Sequence, residues 1–256
     1  MHLQWYVYPL AILAGVLAGV INTLAGSGSL ITLPTLIFLG LPANLANATN
    51  RVGVTVQNVV GITTFRREGR LGFGGAGWLI GPAVLGSIVG AWLASSLNAE
   101  VMNSVIGVVM VVMLGIILFD PRRWLRETSV VPPGRPGPGI LALFFALGVY
   151  GGFIQAGVGV FLLAAMVLGV GYNLVEANAI KLVIVLGLTF TALVVFVSRG
   201  QIHWGLGGLM AAGQSLGAWL AARFASRNKN ANLWIRRLLI AVVSVSIWKL
   251  FGLPPF

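Results

Sequence analysis

The sequence predicts an all-α polytopic membrane protein. It is expected to contain two inverted repeats of about five helical elements each, with broken or short helices at the bilayer midplane. Three observations lead there. The 256 residues are 58% hydrophobic and only 8% charged, with a mean hydropathy of +0.97, whereas a soluble domain carries about a quarter charged residues. Apolar runs of about 20 residues recur along the chain, as bilayer-spanning helices require. The motifs of the first half return, in order, in the second. So few charges cannot cover a water-facing surface, so lipid is the main solvent.

Apolar runs bounded by breakers give ten elements. The first, 5–24, has no basic region ahead of it and is followed by further apolar segments, so it reads as a span and not as a cleaved signal. The second, 28–41, opens after the small residues Gly26-Ser27-Gly28-Ser29, in a stretch with no charged residue from Met1 to Asn50. The third to fifth are 45–65, 73–97 and 101–119. A Pro-, Gly- and Arg-rich linker, "DPRRWLRETSVVPPGRPGPG", then reads as an exposed connection. The second set is 139–156, 158–171, 175–197, 204–224 and 233–251. The chain thus divides into a first repeat at 1–120, a cytoplasmic linker at 121–138 and a second repeat at 139–256.

The repeat rests on four ordered matches. "AGSGSLITLP" matches "AGVGVFLLAA", pairing Gly26 with Gly157 and Gly28 with Gly159. "ANATNRV" matches "ANAIKLV", "REGRL" matches "SRGQI", and "GSIVGAWLA" matches "GQSLGAWLA". Basic residues cluster in short loops, around Arg66, Arg67 and Arg70, then Arg122 to Arg135, then Arg223 to Lys229. That is an orientation signal rather than a nucleic-acid surface. Placing 66–70 inside puts the linker and 225–232 inside, and the loops at 98–100 and 198–203 outside. Both termini then fall outside, and an odd number of elements per repeat inverts the second against the first, as in many secondary transporters. The second element of each repeat, about 14 residues or ~21 Å, either crosses obliquely or pairs with its predecessor as a re-entrant hairpin.

The glycine break is assigned to a ligand. Interrupted helices within a bilayer are tolerated where their backbone faces protein or a polar cavity. A helix restarting at Ser29 offers free N–H groups and a positive dipole end, and "AGVGV" at 156–160 offers a second. Two such ends meeting at the midplane make an anion site. The competing reading is close packing of small residues, which Gly15-xxx-Gly19 and Gly86-xxx-Gly90 are taken to serve. Arg51 lies within an apolar helix and is assigned to the site, with Thr49, Asn50 and Gln57 on its segment. Lys181 is a second cation, for which snorkelling to the headgroups is an equal alternative. Asn22 and Gln155 precede the two breaks, are read as symmetry mates and join the set. Asn178, like Asn47, serves either the ligand or helix capping. Glu176, the one acid inside an expected span, reads first as complementing a helix dipole and second as a proton-coupling candidate. The substrate-binding candidates are therefore Asn22, Gly26, Ser27, Gly28, Ser29, Thr49, Asn50, Arg51, Gln57, Gln155, Gly157, Gly159, Asn178 and Lys181.

The chain has no cysteine, which excludes disulfides, thiolate metal sites and thiol nucleophiles. No phosphate-binding loop of the form G-x-x-x-x-G-K-[ST] is present. Paired intramembrane acids and histidine clusters are also missing, so an enzyme is disfavoured and no metal or cofactor is expected. The partners expected are a small anion and the lipid bilayer, not nucleic acid. A homodimer is left open, and an anion channel using the same site is the alternative to a carrier.

The stretch "NTLAGSGSLITLP…LGLPANLANATNRV", with the later "GGFIQAGVGVFLLAAMVLG…EANAIKL", resembles the sulfite exporter TauE/SafE family, also called the 4-toluene sulfonate uptake permease family. The resemblance runs through nearly the whole chain, including the two "GAWLA" segments. It implies a bacterial inner-membrane carrier for sulfur-containing anions such as sulfite, sulfonates or sulfoacetate. The family's two glycine-rich breaks fall on Gly26 to Ser29 and on Gly157 to Gly159, and its polar "TNR" on Thr49, Asn50 and Arg51. Many members have a longer glycine run where this chain has "GSGS", a difference that bears on the substrate rather than the fold.

Overall fold

A computed structural model of the chain describes residues 7–67, 77–118, 136–172 and 174–225, without the side chains of Ala25, Leu118, Leu174, Val175, Glu176, Ala179, Phe224 and Ala225. The described residues form α1 (Val7–Ala25), α2 (Ser29–Phe38), α3 (Ala43–Arg67), α4 (Gly77–Ser95), α5 (Ala99–Leu118), α6 (Pro138–Phe153), α7 (Val158–Ala164), α8 (Leu174–Ser198) and α9 (Trp204–Ala225), and no strand. A π-helical stretch, Ala165–Val170, continues α7. In lipid each backbone must satisfy its hydrogen bonds within its own segment, so apolar runs become helices. The expected elements fall close to these bounds. The tenth, 233–251, lies outside the described residues, as do most of the linker and the tryptophans Trp5, Trp124, Trp234 and Trp248.

Among the described residues, four stretches are long and apolar enough to cross a membrane: Val7–Leu24, Gly77–Ser95, Ala99–Ile117 and Ile180–Ser198. Helices α3 and α9 have the length but not the apolar character. For α3 the reason is visible in Asn47, Asn50, Arg51, Gln57 and Asn58, all of them buried. Its polar groups are kept from lipid by the helices around it. The outside shows the reverse: Leu13, Leu85, Val108, Phe190 and Trp92 are exposed. Apolar groups outside and polar groups inside is the distribution a lipid-solvated protein needs.

The helices pack across the two halves of the chain. Helix α1 lies on α9 and α4 on α6, while α3 packs between α8 and α9. Glycines form both outer seams. A methyl added at Gly19 would meet the backbone of Gln214, and one at Gly213 or Gly217 the backbone of α1. On the other seam, Gly86 and Gly90 abut Phe145 to Phe153, and Gly148 and Gly152 abut Ala83 and Ser87. Small residues let backbones approach where no hydrophobic force joins helices. The packing role expected of Gly15-xxx-Gly19 and Gly86-xxx-Gly90 is seen, and the sequence reading missed their partner glycines.

Both short helices carry a defect in their hydrogen-bond ladder at matching positions. Pro34 lies inside α2, eight residues after Gly26. The π-helical stretch starts at Ala165, eight residues after Gly157. At ten residues, α2 rises only about 15 Å, half of a ~30 Å hydrocarbon core.

Candidate functional site

The first break follows α1. Gly26 has φ +74, a left-handed conformation that costs other residues roughly 1–2 kcal/mol. Its N–H donates to Asn22 O at 2.9 Å, and Gly28 N–H reaches Asn22 Oδ1 at 3.4 Å. In the first turn of α2, Leu30 N–H donates to Ser27 O, and Ile31 and Thr32 N–H donate to Gly28 O. Ser29 N–H remains as the first-turn donor with no helical acceptor. Asn50 of α3 ties the turn down: it accepts from Thr32 Oγ1 at 2.5 Å and donates to Ser29 Oγ at 3.1 Å. From α8, Lys181 Nζ donates to Asn178 Oδ1 at 2.6 Å and lies 3.5 Å from Asn22 O.

The second break follows α6. Here Gln155 (φ +62) and Gly157 (φ +71) are both left-handed. Arg51 Nη1 donates to Gly151 O at 2.6 Å and Gln155 Oε1 at 3.0 Å; Nη2 donates to Gly152 O at 2.9 Å and Asn47 Oδ1 at 3.3 Å. Asn47 Nδ2 donates to Phe153 O at 2.8 Å. A helix leaves its last carbonyls without partners; at α6 they are covered by the guanidinium and the amide. Gln155 Nε2 then donates to Thr189 Oγ1, and the Tyr150 hydroxyl donates to Ala156 O. The Phe196 ring lies 5.6 Å from Arg51 Cζ, within cation–π range.

The two breaks touch. A methyl on Gly26 would sit 2.6 Å from Gly159 Cα, and one on Gly159 would sit 2.5 Å from Gly26 Cα. This contact sets the N-terminal ends of α2 and α7 side by side. Each buried cation sits at a C-terminal end instead, Arg51 at α6 and Lys181 at α1. Taking about half a charge per helix end, two N-termini and two C-termini roughly cancel. The two cations are left over, for a sum of about +2. Among the described side chains the acid is Glu100, in the first turn of α5, and no metal-binding cluster of His, Cys or acids is found. Among the described side chains the balance at the two breaks is therefore positive, in a buried and poorly screened setting.

Most of the expected site residues converge on these two breaks. Asn22, Gly26, Ser27, Gly28, Ser29, Asn50, Asn178 and Lys181 lie at the first; Arg51, Gln155, Gly157 and Gly159 lie at the second. Thr49 does not join them, since its Oγ1 accepts from His203 N–H at 3.0 Å. Gln57 is buried further along α3, and neither amide atom has a partner among the described residues. Asn22 and Gln155 are not equivalent. Asn22 lies inside α1, while Gln155 lies beyond α6 in a left-handed bend; they precede their glycines by different numbers of residues, so the break geometry treats them differently. Glu176 belongs to α8, and its side chain lies outside the description. The sequence reading missed Thr189, Thr32, the carbonyls of Gly151 and Gly152, and Met113, whose side chain fills the space beside Gly157. Only the doubled glycine before the second break gave a local signal.

The chain matches the sulfite exporter TauE/SafE family over residues 11–250. It belongs to that family. A probable membrane transporter protein, YfcA, of Escherichia coli (strain K12) is 28% identical, with 91% of this chain and 86% of the relative covered. A probable membrane transporter protein, ORF9, of Sinorhizobium sp is 24% identical over 96% of this chain and 92% of its own. A probable membrane transporter protein of Haemophilus influenzae is 29% identical over 82% and 81%. No solved structure matches the chain. As a TauE/SafE member the chain is a membrane transporter, and the names of the family and of these relatives describe transporters rather than enzymes.

Proposed function

We propose that this TauE/SafE member is a secondary transporter of small sulfur-containing anions of the sulfite, sulfonate or sulfoacetate type. It works by alternating access between two inverted repeats in a bacterial inner membrane. The observation that carries this reading is the contact of Gly26 with Gly159. It joins two helix N-terminal ends between two buried cations, an arrangement that attracts an anion without stranding a carboxylate in lipid.

Inversion is supported by the exchange of partners, with α1 on α9 and α4 on α6, and by the left-handed glycines Gly26 and Gly157 at matching positions. Re-entrant hairpins α1–α2 and α6–α7 are favoured over oblique crossings. Helix α2 is too short to cross, and its first turn bonds Asn50, partway along α3. Two loop contacts agree with the loops at 98–100 and 198–203 sharing one face; the charge pattern makes that face the outer one, with both termini outside. Gln201 Nε2 donates to Ser95 O at 2.9 Å, which joins two loops that the charge pattern puts on the outer face. His203 N–H, from the second of these, reaches Thr49 near the start of α3. The test is counterflow: liposomes containing the purified protein and trapped sulfite should take up labelled sulfite saturably. Conductance without counterflow would make it a channel, and no movement of sulfite, sulfonate or sulfoacetate would end the reading.

A further inference from the structure

We infer that the two buried cations have different jobs: Lys181, with the Ser27 hydroxyl, grips the anion, and Arg51 is a positioning residue that holds α6 and the second break in place. This rests on the transport reading above and assigns its ligand contacts to the first break alone.

Hydrogen-bond capacity decides between the cations. Arg51 has four Nη–H groups, and each has an acceptor: Gly151 O, Gly152 O, Gln155 Oε1 and Asn47 Oδ1. The acceptors are themselves engaged. Gln155 passes its other end to Thr189, and Asn47 its other end to Phe153 O. Only Nε–H is without a partner. An anion reaching the guanidinium fork must break a charge-assisted bond and strand a helix carbonyl where no water replaces it. The second break is therefore a closed network.

The first break is open. An ammonium carries three N–H groups. Lys181 spends one on Asn178 Oδ1. Its second contact, Asn22 O, is at the 3.5 Å limit and already accepts from Gly26 N–H. The third N–H has no acceptor among the described residues. In the same turn of chain Ser27 Oγ, 1% exposed, also has no partner. A buried hydroxyl left unpaired costs stability, and a group kept at that cost in the same break whose Asn22 carbonyl the under-used ammonium approaches points to a ligand. Ammonium, hydroxyl and the Ser29 N–H are all donors, and together they suit the oxygens of one sulfite or sulfonate group.

The experiment measures sulfite binding and melting temperature together on the detergent-purified full chain. Ser27→Ala breaks no bond in the protein. It is expected to melt at or above the wild-type temperature and to bind sulfite about tenfold more weakly, the effect of roughly one charge-assisted hydrogen bond. Lys181→Met is expected to weaken sulfite by at least ~100-fold. Lys181→Arg, which keeps the charge but changes the donor geometry, should retain measurable binding. Arg51→Met is expected to lower the melting temperature, with the folded fraction losing affinity for sulfite by at least tenfold less than Lys181→Met does. If Arg51→Met does not fold, Ser27→Ala and Lys181→Met still decide. Wild-type affinity in both, or a loss in folded Arg51→Met as large as that in Lys181→Met, overturns the assignment while leaving the transport reading intact. A wild-type protein that binds neither sulfite nor a sulfonate overturns the transport reading, and this inference with it.

Discussion

Substituting Gly159 by alanine tests the contact on which the site depends. Gly159 lies in the first turn of α7, and its φ is not in the left-handed region, so alanine fits the local backbone. Helix propensity alone favours the change by about 1 kcal/mol. The added methyl, however, would lie 2.5 Å from Gly26 Cα and 2.7 Å from Gly26 O. Carbon atoms rest at about 3.5–4.0 Å, so the two breaks must part by on the order of 1 Å. Overpacking of this kind costs about 1–3 kcal/mol, more than the propensity gain. With about 2–4 °C per kcal/mol for a chain of this size, a net loss of up to about 2 kcal/mol lowers the melting temperature by up to roughly 8 °C. Sulfite counterflow should fall with it. The control is Gly139→Ala in α6, where an added methyl meets nothing within 4 Å; it should be neutral or stabilising. If Gly159→Ala melts no lower than Gly139→Ala and transports normally, the two breaks do not touch as described, and the argument for an anion site where they meet fails.

The other predictions concern the seams, the Arg51 hydrogen-bond network and the orientation. Gly90→Ala should destabilise by about 1–3 kcal/mol, because the methyl would lie 2.7 Å from Phe153 N on α6; reversible unfolding in mixed detergent measures it, and a neutral result would argue against the α4–α6 seam. Arg51→Met removes four hydrogen bonds. At about 0.6 kcal/mol for an average membrane bond and up to ~1.7 for the strongest, the loss is roughly 2–7 kcal/mol. Gln155→Leu should reproduce part of that loss, since it cuts the link from Arg51 to Thr189. Because the chain has no native cysteine, single cysteines at Asn98 and Gln201 can be probed in intact cells. Both should react with a membrane-impermeant maleimide, and a cysteine at Arg67 should not; the opposite pattern would reverse the orientation.

Much of this protein was determined by local sequence. Charge scarcity and apolar runs fix a lipid-solvated bundle, because a backbone in hydrocarbon has little choice but helix. The breaks at Gly26 and Gly157 were readable because small residues interrupt such runs for few reasons, and both prove left-handed. The glycine seams of α1 and α4 were readable from their spacing, but not their partners, because every lipid-facing helix looks alike in composition. What only the tertiary structure decided is which groups meet. Arg51 reads from the sequence as a cation of the ligand site. The fold brings it to the carbonyl end of α6, 100 residues away in the chain, where its fork is used up. Thr189 was invisible in its apolar run until Gln155 was set against it. Hydropathy encodes what each segment avoids, namely water or lipid. It does not encode which distant donor faces which acceptor, because that follows from helix crossings made between the two halves of the chain.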